Sequence, residues 1–441
     1  MGHREHWSGR AGFVLAAVGS AVGLGNMWRF SYLAAENGGA AFVLVYLIFT
    51  IFIGLPVLLA EMVIGRGAGR SPVQALSHFG GSVWRPLGGL FVVTGFLILA
   101  YYSVIAGWTL RYAISGLLGG FGGDAAARFG AVSTGIAPIA WHLGFMAITA
   151  ALIASGVRAG IERSALVLMP LLFAIVVGLA IYAATLEGGS GGYAYYLSTD
   201  FGKLLDPHVV VAAAGQAFFS LSLGMGAILT YSSYLDRSHH LPNESVTIGV
   251  ADFGVAFVAG LVVFPLIFAL GLQTEVGEST VGALFITLPH AFQEMGGAGR
   301  VVGVLFFASL VVGALTSAVS LLEVVVATAM DGLGWSRPRA AWVLGAAVAA
   351  LGILPAHDLE ILGLMDQFAG NFLLVAGGLM LSLFVGWAME DPIAEVLAGA
   401  ERVRWFPVWR GLLRWVVPAV LAVVLFYSTE SLRAMIFGTP S

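Results

Sequence analysis

Two apolar stretches of this sequence are interrupted by glycine beside oxygen-bearing side chains. Residues 19–26 read Gly-Ser-Ala-Val-Gly-Leu-Gly-Asn, and residues 220–226 read Ser-Leu-Ser-Leu-Gly-Met-Gly. Glycine accepts the backbone conformations of an unwound turn at no steric cost. Unwinding inside an apolar segment frees carbonyl oxygens to bind a cation. The amide groups opening the next half-helix, at its positive dipole end, suit an anion. The bland use of such glycines is close helix packing. Charge is the second signal. Arg29, Glu61, Asp252, Glu323 and Asp366 fall within or at the ends of apolar runs, where ionisable groups are costly and mark ion or substrate pathways. Asp252 fits either a cation ligand or an acid facing the N-terminal dipole of its own helix. Arg29 and Asp366 suit a closable ion pair at one end, or two snorkelling boundary residues. Arg4 and Asp331 offer a corresponding pair at the other end, or two solvated charges.

The elements that position these groups follow from composition. The 441 residues are 59% hydrophobic and 10% charged, and the mean hydropathy is +0.94. A soluble domain carries roughly a quarter of charged residues. The apolar residues come in long blocks, not short alternating segments, so the expected class is an all-α polytopic membrane protein, not a barrel. Hydropathy predicts spans at about 11–34, 40–64, 86–118, 137–156, 163–185, 208–234, 246–272, 301–330, 339–355, 358–389 and 411–434. The stretch 279–296, broken by Pro289, reads as a helical external loop. Loops are short, so residues 1–441 are expected to form a single transmembrane domain. The first apolar block carries Gly, Asn and Arg, which argues against a cleavable signal. With no cysteine, disulfide and thiol chemistry are excluded.

Loop charge sets the expected orientation. Of 20 Lys and Arg, 14 fall on the side of Arg4, and five (Arg111, Arg128, Lys203, Arg300, Arg433) fall on the other. The N-terminus is therefore expected in the cytoplasm and the C-terminus, after eleven spans, outside. The expected location is the plasma membrane, a bacterial inner membrane. The two Gly-x-Gly breaks lie five spans apart, and such breaks at matching places in two halves point to a transporter site at the bilayer midplane. There is no H-E-x-x-H and no G-x-x-x-x-G-K-[ST] motif, so neither zinc hydrolysis nor ATP machinery is indicated. No enzyme is predicted, and nothing suggests nucleic acid. A channel would need a continuous polar pore, whereas opposed gate pairs argue for alternating access.

Specific motifs extend this reading. The run Arg4-Glu5-His6-Trp7 leads to Gly23-Leu24-Gly25-Asn26-Met27-Trp28-Arg29-Phe30 and Glu36-Asn37-Gly38-Gly39. Further on come Tyr101-Tyr102, Trp108, Gly160-Ile161-Glu162-Arg163, Gly215-Gln216-Ala217-Phe218-Phe219-Ser220-Leu221-Ser222 and Leu315-Thr316-Ser317. Over essentially the whole chain this resembles the neurotransmitter:sodium symporter family, in its bacterial amino-acid branch, where the leucine transporter belongs. That transporter is itself a standard instance of broken helices in inverted repeats, so the resemblance and the glycine argument are not independent. The resemblance implies inverted five-helix repeats (leucine-transporter fold) over 11–185 and 208–389, a peripheral eleventh helix at 411–434, and loss of the twelfth span common in relatives.

The resemblance also implies sites. One sodium would bind the carbonyl of Ala21, Asn26, Ser220, Asp252 and the substrate carboxylate. A second would bind carbonyls of Gly19, Val22 and Gly313 with the hydroxyls of Thr316 and Ser317. The substrate carboxylate would meet the N–H groups of Leu24 and Gly25 and the hydroxyl of Tyr102. Its ammonium would meet carbonyls of Ala21, Phe219 and Ser220 and the end of the Ser222 stretch. Gly23, where amine-carrying relatives have aspartate, leaves room for that carboxylate. Ile98, Phe219, Ser222, Met225, Ser317 and Leu321 would line an apolar pocket that disfavours charged substrates. Arg29, Asp366 and Phe219 would form an outer gate, and Arg4, Asp331, Trp7, Tyr234 and Glu323 an inner one. The implied function is sodium-coupled uptake of a neutral amino acid; a proton-coupled carrier or a non-transporting sensor of the same fold stays open. Departures from the family are Ser31 and Val45 at usual prolines, Ala256, and Asp252 in place of asparagine. Animal members bind chloride near the positions of Tyr46, Gln216 and Ser220. The Asp252 carboxylate is expected to supply that charge, so no chloride requirement is predicted. The sequence leaves the substrate's identity and the oligomeric state open.

Overall fold

A computed structural model describes residues 5–198, 201–272, 280–398 and 405–437. Among the described residues every regular element is helical, as a lipid-embedded backbone requires. Among the described residues nine continuous helices are long and apolar enough to cross a bilayer: Ala40–Ala68, Ser82–Gly119, Ala137–Ala154, Val157–Ala183, Leu241–Ala269, Gly296–Leu333, Arg337–His357, Leu359–Ala388 and Phe406–Phe437. Arg10–Ala21 and Gly25–Glu36 make a tenth, bent by 60°. The remaining span is split into Pro207–Ser220 and Ala227–Ser232, with residues 221–226 between them. Numbered in chain order, with this split pair as the sixth, they follow the order expected from hydropathy.

The ends differ because hydropathy sees where side chains leave the apolar layer, not where backbone bonding stops. The seventh span starts at Leu241, not 246, because Asn243, Glu244 and Ser245 continue the helix past the apolar run. The fifth starts at Val157, not 163: behind Gly156, whose φ is 101°, residues Val157–Glu162 wind as a π-helix. The stretch between the seventh and eighth spans is helical as expected, in Thr280–Gly282, Ala283–Thr287 and Leu288–Glu294. The Tyr112 hydroxyl donates to the Phe285 carbonyl at 2.8 Å and ties this stretch to the third span.

The two broken spans face each other at the centre, flanked by the third and eighth spans, which pack along one another. Ser222 in the sixth-span break donates to the Ser20 carbonyl of the first span at 2.7 Å. One end of the bundle is basic. There Arg10 meets Glu244, Arg66 and Arg237 meet Glu395, and Arg337 meets Glu323.

Candidate functional site

Both breaks are explained by local chemistry. In the first span the helix stops at Ala21, and Val22 is extended, with φ −76° and ψ 109°. The Asn26 side chain then accepts the Gly23 N–H at 3.0 Å, and so starts the next half-helix. In the sixth span Ser222 has φ 55°, the one positive value at a non-glycine among the described residues, and Gly224 and Gly226 have φ 76° and 72°. Glu61, fully buried in the second span, accepts the freed N–H groups of Gly224 at 2.8 Å and Leu229 at 3.1 Å. Its carboxylate replaces the helix bonds that this turn gives up. Glu61→Ala orphans two buried donors at roughly 1–3 kcal/mol each. The expected result is a clearly lower melting temperature in detergent and loss of uptake, with Glu61→Gln less affected; equal melting of all three proteins would refute the capping role.

Between the breaks lies one cavity. Every residue assigned to the substrate except Leu24 lines it, and Ser20 is an addition. Leu24 contributes its backbone: its N–H donates to the Tyr102 hydroxyl at 3.3 Å. Ser20 was missed although it lies in the 19–26 motif; its hydroxyl bonds Ser320 at 2.7 Å, and its carbonyl faces Ser222 and Ser317. Among the described residues no charged side chain lines the cavity.

Charge sits one layer behind. Asp252 is fully buried and forms the hub of a polar cluster. Asn26 donates to its Oδ1 at 2.6 Å, Ser220 to its Oδ2 at 2.8 Å, and Tyr46 to its Oδ2 at 3.3 Å. The Asn26 amide also reaches Ser220 Oγ at 2.8 Å. Asp252 makes no ion pair with any basic side chain among the described residues. A buried carboxylate without a cationic partner is expensive, and the oxygens of Asp252, Ser220 and Tyr46 suit a hard cation, whereas Asn26 turns its amide nitrogen to Asp252 and Ser220 and its side-chain oxygen to Gly23. Gln216, from the same helix as Ser220, donates to the Gly25 carbonyl at 2.9 Å and braces the two breaks together.

The second predicted cation set also converges. Ser317 Oγ lies 3.3 Å from the Gly19 carbonyl, and Thr316 Oγ1 lies 3.1 Å from that of Gly313. A Cβ at Gly313 would sit 3.4 Å from the Val22 carbonyl, so the eighth span comes against the first-span break there. This set is neutral and built of carbonyls and hydroxyls.

The two ends of the pathway differ. At the basic end Trp7 donates to the Tyr231 carbonyl at 2.9 Å and packs edge-on against Tyr231 and Tyr234. The Tyr234 hydroxyl donates to Glu323 at 2.5 Å, Arg337 pairs with Glu323 at 2.7 Å, and Glu5 pairs with Arg337 at 2.8 Å. Arg337 and Glu5 join this cluster although the sequence does not single them out as gate residues, since Arg337 reads as a loop charge. Asp331 accepts the Ser71 N–H at 2.7 Å; Arg4, its expected partner, lies outside the described residues. Arg337→Ala leaves Glu323 buried without its cation, a loss of roughly 3–5 kcal/mol. A thiol probe placed at the basic end should then label faster, and unchanged labelling would count against this seal.

At the opposite end the expected ion pair is not formed. Arg29 donates to the Asn371 side-chain oxygen at 2.9 Å and lies over the Phe219 ring at 4.5 Å, not on Asp366. Sequence pattern finds Asp366 because it is charged and overlooks Asn371, a neutral residue five positions on. Phe219 is where a lid was expected, between Arg29 and the cavity it lines.

Comparison with known proteins matches this geometry. The profile of the Sodium:neurotransmitter symporter family matches residues 4–121 and 130–439. The uncharacterized sodium-dependent transporter YhdH of Bacillus subtilis is 35% identical over 442 residues, 95% of this chain and 96% of that protein. An uncharacterized sodium-dependent transporter of Haemophilus influenzae is 33% identical over 452 residues, 96% and 97% of the two chains. The crystal structure of MhsT in complex with L-phenylalanine superposes with a TM-score of 0.88 at 41% identity, over 97% of this chain and 100% of that one. With that fold, those broken helices and that match over nearly its whole length, the chain belongs to the sodium:neurotransmitter symporter family of membrane transporters.

Proposed function

We propose that the protein imports a neutral, apolar amino acid together with two sodium ions, by alternating access and without a chloride requirement. The observation that carries this reading is the fully buried Asp252 carboxylate, held by Asn26, Ser220 and Tyr46 against a cavity with no charged lining. The substrate carboxylate is assigned to the Leu24 and Gly25 amides and Tyr102, and its ammonium to the Ala21, Phe219 and Ser220 carbonyls. One sodium is assigned to Ala21, Asn26, Ser220, Asp252 and the substrate carboxylate. The other goes to Gly19, Val22, Gly313, Thr316 and Ser317. Sharing the substrate carboxylate couples the two ligands directly, because each completes the other's site. The lining supports the substrate class: Ile98, Met225, Leu321 and Phe219 offer apolar surface and no counter-charge. MhsT, titled with L-phenylalanine, supports it as well. The loop charges support a cytoplasmic N-terminus and an outside C-terminus in a bacterial plasma membrane, and the family resemblance supports repeats over 11–185 and 208–389 with a peripheral helix at 411–434.

The energetics are sufficient. Each charge crossing about 100 mV yields roughly 2.3 kcal/mol, and each tenfold gradient adds about 1.4 kcal/mol. Two sodium ions therefore supply about 7 kcal/mol, enough for roughly a 10⁵-fold substrate gradient. The direct test is equilibrium binding of labelled neutral amino acids to the purified protein. Saturable binding is expected in sodium, steeper than first order in sodium, absent in potassium and equal in chloride and gluconate. Equal binding in potassium would overturn the reading.

A further inference from the structure

The tenth span is π-helical over Asp366–Leu373. A π-helix bonds each residue to the one five positions on. Asp366 and Asn371, five apart, therefore come one turn above each other on the same face. In an α-helix, with 3.6 residues per turn, they would point well apart. Each has a neighbour at the Phe219 ring. Arg29, bonded to Asn371 at 2.9 Å, lies over Phe219 at 4.5 Å. On the Asp366 side, a Cβ added to Gly370 would sit 2.8 Å from Asp366 Oδ1 and 3.7 Å from Phe219 Cε2. Only one arm of the guanidinium is used: Arg29 Nη1 is buried without a hydrogen-bond partner, and leaving a buried donor unpaired is costly. Asn371 is itself held. Its Nδ2 donates to Gln367 Oε1 at 3.0 Å, and Gln367 donates to the Ser428 carbonyl of the eleventh span at 3.5 Å.

We propose that Asn371 is a second berth for the gate arginine, a positioning residue that sets the balance between open and closed. Arg29 rests on Asn371 while the pathway at this end is open and moves to Asp366 when it closes. The π-helical turn is what puts both berths within reach of one side chain, and the Gln367–Ser428 chain anchors the open berth to the eleventh span. This rests on the alternating access of the proposed function and on the outer-gate role that the family resemblance implies for Arg29 and Asp366.

The chain has no cysteine, so a single reporter thiol is unambiguous. Gly215→Cys suits, because Gly215 lines the groove that Arg29 and Asn371 also border, and a side chain there meets nothing within 4 Å. The rate of labelling by a membrane-impermeant thiol reagent is measured in intact membranes. Asn371→Asp adds charge to the open berth and should raise the rate about threefold or more, with slower maximal uptake. Asn371→Leu removes the berth and should lower the rate by a similar factor. Asn371→Leu with Asp366→Asn should return it toward the parent, and Asn371→Gln should stay near the parent. Asp and Leu variants that shift labelling in the same direction, or not at all, would overturn the proposal. If the parent ignores sodium and amino acid while the two variants still diverge, the two-berth gate stands and the symport reading falls.

Discussion

Asp252→Ala is expected to abolish sodium-dependent uptake, and Asp252→Asn to leave it weak and newly dependent on chloride. Asp252 is the charge behind the cavity and the acceptor for Asn26, Ser220 and Tyr46. Alanine removes the proposed anionic sodium ligand and strands the side chains that surrounded it. Hydrogen bonds to a charged group are worth roughly 1.5–3 kcal/mol each, so the remaining ligands also lose their positions. Asparagine keeps the shape but not the charge. The expected shift in sodium half-saturation is about 100-fold or more, close to 2.8 kcal/mol at about 1.4 kcal/mol per decade. A chloride ion near Tyr46, Gln216 and Ser220 would then restore the missing negative charge. Uptake by Asp252→Asn that gains no chloride dependence would contradict this role.

Gly23→Ala is the second large effect. A Cβ at Gly23 would sit 2.6 Å from Ser317 Oγ and 2.8 Å from Tyr102 Oη. Both are ends of side chains, so the fold survives by turning them aside. Those hydroxyls, however, are the groups assigned to the second sodium and to the substrate carboxylate. Uptake should fall about 100-fold or more, while yield and melting temperature stay near those of the parent. Gly89→Ala is the control, since a Cβ there meets nothing within 4 Å. Normal uptake by Gly23→Ala would remove the carboxylate from this part of the cavity.

The sequence made the spans legible, because each membrane helix must carry an unbroken apolar run. It also revealed the break positions, since a chain turning at Gly224 and Gly226 with φ near 70° needs glycine. The helix ends were less legible. Asn243 and Glu244 are polar yet helical, as backbone bonding continues where the apolar layer ends. Arg337 was hidden for a related reason: a loop charge and a buried gate arginine look the same until the partner, Glu323, is placed beside it. Asn371 was hidden because its role depends on a π-helical register that hydropathy does not encode. Ser20 escaped because a residue bonded through both its hydroxyl and its carbonyl carries no pattern beyond its type.

The most direct test is uptake into proteoliposomes holding the purified protein, with a panel of labelled neutral amino acids. Inward sodium is exchanged for potassium or choline, with pH and chloride varied separately. Accumulation of an apolar amino acid that needs the sodium gradient, ignores chloride and does not follow a proton gradient is the predicted result. Accumulation that ignores sodium and follows the proton gradient would contradict it and make Asp252 the proton's carrier.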